Sequence, residues 1–312
     1  MTQTSDAAGA RADARDGAVH RGPRGGLCYG IGAYAMWGVF PLYFHLVSEV
    51  PSWLVLCHRI FWSVLFLVAV VSARQEWGAI VPILRNRRNL LLLSCGGVLI
   101  ALNWLLFIYS IASRQVLQAS LGYFINPLLS VVLGLIFLRE RLRGWQWVAV
   151  LIAVAAVVNL SLHSAAFPWL AVSLAATFGF YGLVRKTVDI NSLHGLLVET
   201  TILFPLAAAV LAWAPVGGLP RATLGILSLS GVLTAVPLLM FGAALRRLKL
   251  STIGFLQYIG PTLQFLVAVL VLHEPLDRSK LGSFALCWVG IAVYTADSLL
   301  TRHPLAVADE PE

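Results

Sequence analysis

The sequence has few charged residues. Asp, Glu, Lys and Arg make up 12% of its 312 residues, whereas soluble globular proteins carry about 25%. Hydrophobic residues make up 59%. So few charges cannot cover a surface that faces water on all sides. The composition therefore excludes an ordinary soluble domain and predicts a protein that lies in a lipid bilayer.

Cysteine and catalytic motifs are also scarce. The four cysteines are Cys28, Cys57, Cys95 and Cys287, and no two of them form a C-x-x-C pair. Neither a disulfide framework nor a metal site is indicated. The zinc-protease, serine-hydrolase and P-loop motifs are absent as well. We therefore predict no catalytic residue, no metal and no cofactor, and a protein that is neither an enzyme nor an ATP-driven pump of the P-loop type.

Cations exceed anions in this chain, giving a formal net charge of +8. Such an excess can serve nucleic-acid binding, because cations release the counterions condensed on phosphates. Here the basic residues lie in short loops between apolar runs, and no basic stripe is interleaved with aromatic residues. The pattern therefore excludes nucleic acid as a partner.

Ten apolar runs are long enough to be membrane helices, since a helix needs about 20 residues to cross about 30 Å of hydrocarbon. The predicted spans are 27–47, 53–72, 90–110, 115–137, 144–162, 168–184, 192–213, 222–244, 250–272 and 279–300. The polar segment 1–26 is predicted to be a disordered cytoplasmic tail, and 301–312 a second cytoplasmic tail. The fold class is an all-α membrane protein of ten transmembrane helices.

The distribution of Lys and Arg predicts the orientation of these spans. With a cytoplasmic N-terminus, the inside segments carry seventeen Lys and Arg residues and the outside loops carry four. Cytoplasmic loops of membrane proteins are enriched in these two residues. The bias predicts that both termini lie in the cytoplasm.

The two halves of the sequence resemble each other. Pro127 and Pro261 are 134 residues apart, and so are Glu140 and Glu274. The halves are predicted as two five-helix repeats, 27–162 and 168–300. Because five spans are an odd number, the second repeat is inserted upside down. Inverted repeats allow one packing to open inward and its counterpart outward, which is the geometry of alternating access.

Two charged residues lie deep in predicted spans. Arg59 is in the second span and Glu199 in the seventh, 140 residues apart and so near equivalent positions of the two repeats. A charge in hydrocarbon costs roughly 2.5–3.5 kcal/mol on insertion scales, so each needs a reason. We predict that both face a central cavity and are linked directly, through water or through substrate, with Glu199 a candidate for proton coupling. The alternative is a structural ion pair.

Polar and proline residues mark the fourth and ninth spans. Pro127 and Pro261 each free a backbone carbonyl inside a helix, and breaks of this kind are tolerated where protein or water satisfies the backbone. The polar residues around them are predicted to line the cavity, the alternative being hydrogen bonds that hold helices together. They are Tyr123, Asn126, Gln257 and Tyr258.

Four further residues complete the predicted site. Asn103, Trp104 and Trp37 lie within spans and away from the membrane interfaces, where they can line a cavity or simply pack. His58 precedes Arg59 and could accept a proton near neutral pH, although a packing histidine bonded to a carbonyl is the more common case.

Several segments resemble one known family, the RarD group of EamA-type permeases in the drug/metabolite transporter superfamily. They are the stretches 37–44, 58–63, 103–104, 120–128, 140–142, 178–186 and 257–262, which read WGVFPLYF, HRIFWS, NW, SLGYFINPL, ERL, FGFYGLVRK and QYIGPT. The resemblance covers nearly all of 27–300. It implies ten helices in two EamA domains, a bacterial plasma membrane and transport of metabolites or drugs, and it supplies no binding residues.

The sequence thus predicts a permease for a small-molecule substrate, secondary or facilitated rather than ATP-driven. Two other functions stay open: an intramembrane enzyme that modifies lipid, and a membrane sensor or scaffold. The substrate, the coupling ion and the direction of transport cannot be read from the sequence, which also leaves a homodimer open.

Overall fold

The computed structural model describes residues 23–138, 144–163, 167–188, 190–214, 219–245, 247–248 and 256–300. Within these residues the chain is helical and has no strand. Residues 1–22, the whole predicted tail 301–312 and Glu140 lie outside them, whereas residues 23–26 of the first predicted tail are helical. The equivalence of Glu140 and Glu274 in the two repeats therefore stays a prediction, as do the parts of the tails outside the described residues.

Twelve helices and one π-helical segment make up the described chain. They are α1 (Pro23–His45), α2 (Ser52–Ala73), α3 (Trp77–Arg85), α4 (Arg87–Ala112), α5 (Val116–Leu138), α6 (Gly144–His163), α7 (Trp169–Lys186), α8 (Ser192–Trp213), α9 (Arg221–Ser228), α10 (Ser230–Leu245), α11 (Ile259–Leu266), the π-helix Val267–Val271 and α12 (Arg278–Leu300).

Every predicted span overlaps helix within the described residues. Five stretches of the described residues are both long and apolar enough to cross a membrane: Gly25–His45, Ser52–Ala73, Arg87–Ala112, Ser192–Trp213 and Arg221–Phe241. The fold is therefore that of an all-α, multi-helix integral membrane protein, as predicted. The number of crossings, ten, stays a prediction.

The structure has two local features that the predicted spans did not include. The predicted eighth span consists of two helices, α9 and α10, which are interrupted at Leu229. The nine-residue helix α3 was not predicted, because nine residues rise only about 14 Å and cannot cross a bilayer. Its Ile80 and Ile83 are buried while Val81 and Leu84 are exposed. This amphipathic arrangement suits a helix that lies along the surface of the bundle.

Most of the packing joins helices from different predicted halves. α1 packs on α10 and α11, just as α7 packs on α4 and α5. α2 packs on α8, and α6 packs on α12. If the halves are exchanged, so that α1 corresponds to α7 and α5 to α11, the contacts of α1 map onto those of α7. The α2–α8 and α6–α12 contacts map onto themselves. An inverted repeat predicts this pattern.

The two ends of the bundle are named here by the connections at them. At the α1–α2 end, α1 finishes and α2 starts; at the α7–α8 end, α7 finishes and α8 starts. Glu76, after α2, contacts His194 of α8 at the α7–α8 end, with 2.7 Å between Oε2 and Nε2. The Tyr43 hydroxyl donates to the carbonyl of Ile226 at the α1–α2 end, 2.7 Å away.

Buried apolar side chains fill the α1–α2 end. This apolar plug consists of Phe44, Val47, Val55, Phe107 and Ile111, all of them buried. The rings of Phe44 and Phe107 meet edge to face, with their centroids 6.0 Å apart. Edge-to-face contacts stabilise aromatic pairs beyond the burial of their area. The plug leaves this end of the bundle closed.

A carboxylate also joins the two predicted halves at the α1–α2 end. Glu274, just after the π-helix, accepts hydrogen bonds from the backbone N–H groups of Val116 and Leu117, at 2.6 and 2.9 Å. These donors belong to the first turn of α5, where N–H groups have no partner within the helix. An anion is stabilised there by the helix dipole as well. We call this contact the Glu274 clamp.

Candidate functional site

A cavity of ≈ 330 Å³ lies inside the bundle. Its lining comes from eight helices, four from each predicted half: α1, α2, α4 and α5, and α7, α8, α10 and α11. It begins at the level of Phe40 and Phe107, the plug residue that also lines the cavity. It continues to Arg185 and Ser192 near the α7–α8 end. It therefore approaches one end of the bundle while the other is packed shut.

Aromatic rings dominate the cavity wall. α1 contributes Tyr34, Trp37 and Phe40, spaced three residues apart and therefore on one side of the helix. α7 contributes Phe178 and Tyr181, each 141 residues after an aromatic residue of α1, Trp37 or Phe40, and so in an equivalent helix of the other half. The Tyr34 and Trp37 rings pack at 5.3 Å. Equivalent positions of the two halves thus face the same cavity.

Arg59 is the charged group of the cavity on the side of the first half. Only 4% of the residue is exposed. Its guanidinium carbon lies 4.2 Å from the centroid of the Trp104 ring, with Phe44 at 5.4 Å and Phe40 at 5.8 Å. Aromatic faces attract cations at these distances. Among the described residues, no carboxylate lies within ion-pair distance of Arg59.

A hydrogen-bond network fixes the polar wall beside Arg59. Asn103 donates through Nδ2 to the carbonyl of Leu174 and to Oγ1 of Thr177, both at 3.0 Å. Its Oδ1 accepts from the Tyr123 hydroxyl, also at 3.0 Å. Three helices, α4, α5 and α7, are held together by this one buried amide. Asn103 and Tyr123 therefore both line the cavity and hold helices together, which were the two alternatives weighed for such residues.

The second cation of the cavity is Arg185, in the last turn of α7. Its Nη1 lies 3.5 Å from Oε1 of Glu199, and its Nη2 donates to the carbonyl of Ile190 at 3.2 Å. The Tyr181 hydroxyl donates to Oε2 of Glu199 at 3.1 Å. Glu199 is 0% exposed and lies behind these two side chains. Arg185 thus meets the cavity with its charge balanced from behind.

The structure gathers most of the predicted site. The predicted residues that line the cavity are Trp37, Arg59, Asn103, Trp104, Tyr123, Asn126, Gln257 and Pro261. Pro127 lies in α5, and its side chain is outside the described residues. The carbonyl of Pro261 is occupied, because it accepts a hydrogen bond from the Ser120 hydroxyl at 2.7 Å.

Three predicted residues do not line the cavity. Glu199 does not reach it, and it pairs with Arg185 instead of Arg59. The predicted direct link was inferred from depth and from the near-equivalent positions in the two repeats, and neither fixes which side of a helix a residue occupies. Tyr258 stacks on Phe124 with centroids 6.5 Å apart. His58 is buried outside the cavity, and neither ring nitrogen has a hydrogen-bond partner among the described residues.

Arg185 is the main site residue that the sequence did not indicate. It was counted among the cations of a cytoplasmic loop, since a cation at the end of a span is the ordinary orientation signal. One clue was available: Glu199 needed a counter-ion, and helices α7 and α8 are joined by a short connection.

Among the described residues, no three His, Cys, Asp or Glu side chains are grouped as metal ligands.

Comparison with known proteins defines the family. The fold and the cavity are those of a membrane transporter, and residues 24–162 match the model of the EamA-like transporter family. The RarD protein of Salmonella typhimurium is 42% identical over 90% of this chain and 97% of its own length. The RarD protein of Escherichia coli K12 is 41% identical over the same shares. The chain belongs to the RarD group of EamA-like transporters, in the drug/metabolite transporter superfamily.

One further relative and one solved structure are also similar to this chain. A protein of Vibrio cholerae described as an uncharacterized transporter is 41% identical over 89% of this chain and 94% of its own. A solved crystal structure of a protein aligns with 89% of this chain and 99% of its own, with a TM-score of 0.60 and 19% identity. At that identity the likeness shows a shared fold.

Proposed function

We propose that the chain is a permease that moves a small metabolite or drug through the central cavity by alternating access. It works in the inner membrane of a bacterium with both termini in the cytoplasm, and it releases its substrate chemically unchanged. A gradient of substrate or ion drives it, because the chain carries no nucleotide-binding motif.

A cavity that approaches only one end of the bundle carries this proposal. Its wall comes equally from both predicted halves, and the apolar plug closes the α1–α2 end. By the positive-inside bias the α7–α8 end is cytoplasmic. The described conformation then corresponds to the inward-facing state of a transport cycle, with the Glu274 clamp and the plug as its external closure.

The outward-facing state requires the reverse arrangement. The plug and the Glu274 clamp separate at the α1–α2 end, while α1 and α7 change their packing against α11 and α5. The exchange symmetry of the contacts supports such a counterpart, because the main contacts between the halves are preserved when the halves are exchanged. A substrate in the cavity would face first one side and then the other without moving far itself.

Proton coupling is assigned to Glu199 in this proposal. A proton taken up by Glu199 would remove the negative charge beside Arg185, and the free guanidinium would then need another anion. His58 is a second candidate, and its distance from the cavity makes its effect indirect. An intramembrane enzyme is less well supported, since it needs several catalytic groups at one depth, and the described residues that line the cavity include two arginines and no carboxylate.

Transport is tested by metabolite profiling and then by flux. Cells with and without the protein are compared, and each compound whose level changes is then assayed in proteoliposomes with and without a pH gradient. Saturable flux without chemical conversion is expected, whereas formation of a product would identify an enzyme. Asn126→Trp, which fills the cavity, should stop the flux. Leu91→Trp, at an exposed position of α4, is the matched control.

A further inference from the structure

The two arginines of the cavity differ in their partners. Arg185 has the carboxylate of Glu199 at 3.5 Å. Arg59 is 4% exposed, its Nε is buried with no hydrogen-bond partner, and the described residues bring no carboxylate within ion-pair distance. A buried charge without an opposite charge is costly. Arg59 therefore occupies its position at a cost to stability.

The rings around Arg59 hold it without using its hydrogen-bonding capacity. The guanidinium carbon lies 4.2 Å from the centroid of the Trp104 ring. The Nε of Arg59 has no hydrogen-bond partner among the described residues, so the N–H donors of the guanidinium are available to another group. Two such donors side by side match a carboxylate or phosphate in a bidentate arrangement.

We propose that the substrate is an organic anion with an aromatic or other apolar body, and that Arg59 binds its acidic group. This inference rests on the proposed transport function and names the class of compound carried. The anion supplies the opposite charge that Arg59 lacks in the empty cavity. With Glu199 already neutralising Arg185, the cavity carries an excess of one positive charge, which a monoanion balances.

The other residues of the cavity wall determine the apolar body and the neutral polar groups of the substrate. Trp37, Phe178 and Phe241 present apolar faces that suit rings or branched hydrocarbon. Two buried acceptors, Oδ1 of Asn126 and Oε1 of Gln264, have no donor within the described residues. A hydroxyl or amino group on the substrate would satisfy one of them. The volume of ≈ 330 Å³ limits the body to one or two rings.

The first test varies the charge of the ligand and leaves the protein unchanged. Purified full-length protein is titrated in a calorimeter with phenyl-, naphthyl- and biphenylpropionate, and with the amides and amines of the same three bodies. Each carboxylate should bind about tenfold or more tightly than its amide, and the amine should bind weakest. Equal binding of amide and carboxylate, or preference for the amine, would overturn the inference.

The second test repeats the ligand series with variants of Arg59. Arg59→Gln should remove the preference for carboxylate over amide, while Arg59→Lys keeps part of it because it keeps the charge and loses the planar donors. Arg74→Gln, at an exposed position after α2, should keep the full preference. Should Arg59→Gln fail to fold, the Lys variant and the ligand series still decide.

Failure of this inference differs from failure of the proposed function. If profiling and flux identify a transported compound that is neutral or cationic, the chain is a transporter and the anion inference is wrong. If no compound is transported in any assay, the proposed function itself fails. If none of the nine ligands binds, the charge of the transported compound decides: an anion whose flux depends on Arg59 supports the inference, and any other compound contradicts it.

Discussion

The cavity regions around Arg59 and Arg185 solve the same physical problem in different ways. Both place a guanidinium inside an apolar bundle. Around Arg185 a carboxylate and a backbone carbonyl satisfy the cation, and a phenol donates to that carboxylate. Around Arg59 three aromatic faces approach within 6 Å and the described residues offer no anion. The first arrangement is complete within the protein, and the second is left open toward the cavity.

This difference separates stability from function. A charge that is neutralised within the protein contributes to folding, and its loss leaves the partner uncompensated. A charge left without a counter-ion contributes to binding, because a ligand can supply what is missing. Substitutions on the two sides should therefore affect different measurements.

The largest expected effect is at Arg185. Arg185→Gln leaves the fully buried Glu199 carboxylate without a cation, so the free energy of unfolding should fall by about 3 kcal/mol. Chemical unfolding in detergent micelles measures the change. The double variant Arg185→Gln, Glu199→Gln should recover most of the loss. If the double variant is no more stable than the single one, the pair does not contribute to stability in this way.

The next effect is at Arg59. Arg59→Gln should leave the free energy of unfolding unchanged or raise it by up to about 2 kcal/mol, because a costly buried charge disappears. Flux of the transported compound should fall about thirtyfold, which corresponds to ~2 kcal/mol of lost binding. Arg74→Gln provides the control for both measurements. Loss of stability comparable with that of Arg185→Gln would make Arg59 a structural residue.

The third prediction concerns the Glu274 clamp and access to the bundle from the α1–α2 end. Glu274→Gln leaves one of the N–H groups of Val116 and Leu117 without an acceptor, at a cost of about 1–3 kcal/mol. The α1–α2 end should open more often, so that a Val47→Cys reporter in a chain free of its native cysteines reacts faster with an impermeant maleimide.

Glu49→Gln is the matched control for that experiment, since Glu49 is an exposed carboxylate at the same end of the bundle. It should leave labelling at the reporter position unchanged. Equal rates in the Glu274 and Glu49 variants would mean that the plug alone closes this end.

The smallest expected effect is at Tyr181. Tyr181→Phe removes the hydroxyl that donates to Glu199, and the free energy of unfolding should fall by about 1 kcal/mol. Arg185 remains as the counter-ion, so the decrease should be smaller than for Arg185→Gln. Tyr29→Phe, at a half-exposed tyrosine of α1, is a suitable control. A decrease as large as that of Arg185→Gln would mean that the phenol, and not the ion pair, stabilises Glu199.

Hydrophobicity in the sequence was sufficient to locate the helices. The boundaries of α2 and α8 agree with the predicted spans to within a residue, because proline or polar residues stand close to both ends of each apolar run. The π-helix at Val267–Val271 was not predicted, since its residues are as apolar as those of a regular helix. Hydrophobicity does not distinguish the hydrogen-bond pattern of a π-helix from that of an α-helix.

The candidate site was predictable where a polar residue interrupted an apolar run. Asn103, Asn126 and Arg59 stand out for that reason, and all three line the cavity. Arg185 did not stand out because it lies at the end of a span, where cations are ordinary. The pairing of Glu199 with Arg185 depends on the rotation of α8 about its axis, which is set by packing between helices and not by the sequence of one helix.

The interleaved packing of the two predicted halves has a consequence for synthesis. α1 leaves the ribosome early, yet its partners α10 and α11 are made more than a hundred and fifty residues later. Until then, the face of α1 that carries Tyr34, Trp37 and Gly38 has only lipid or the insertion machinery against it. The first half made alone would lack its main contact surface. Two separately made halves could complete each other in the bilayer.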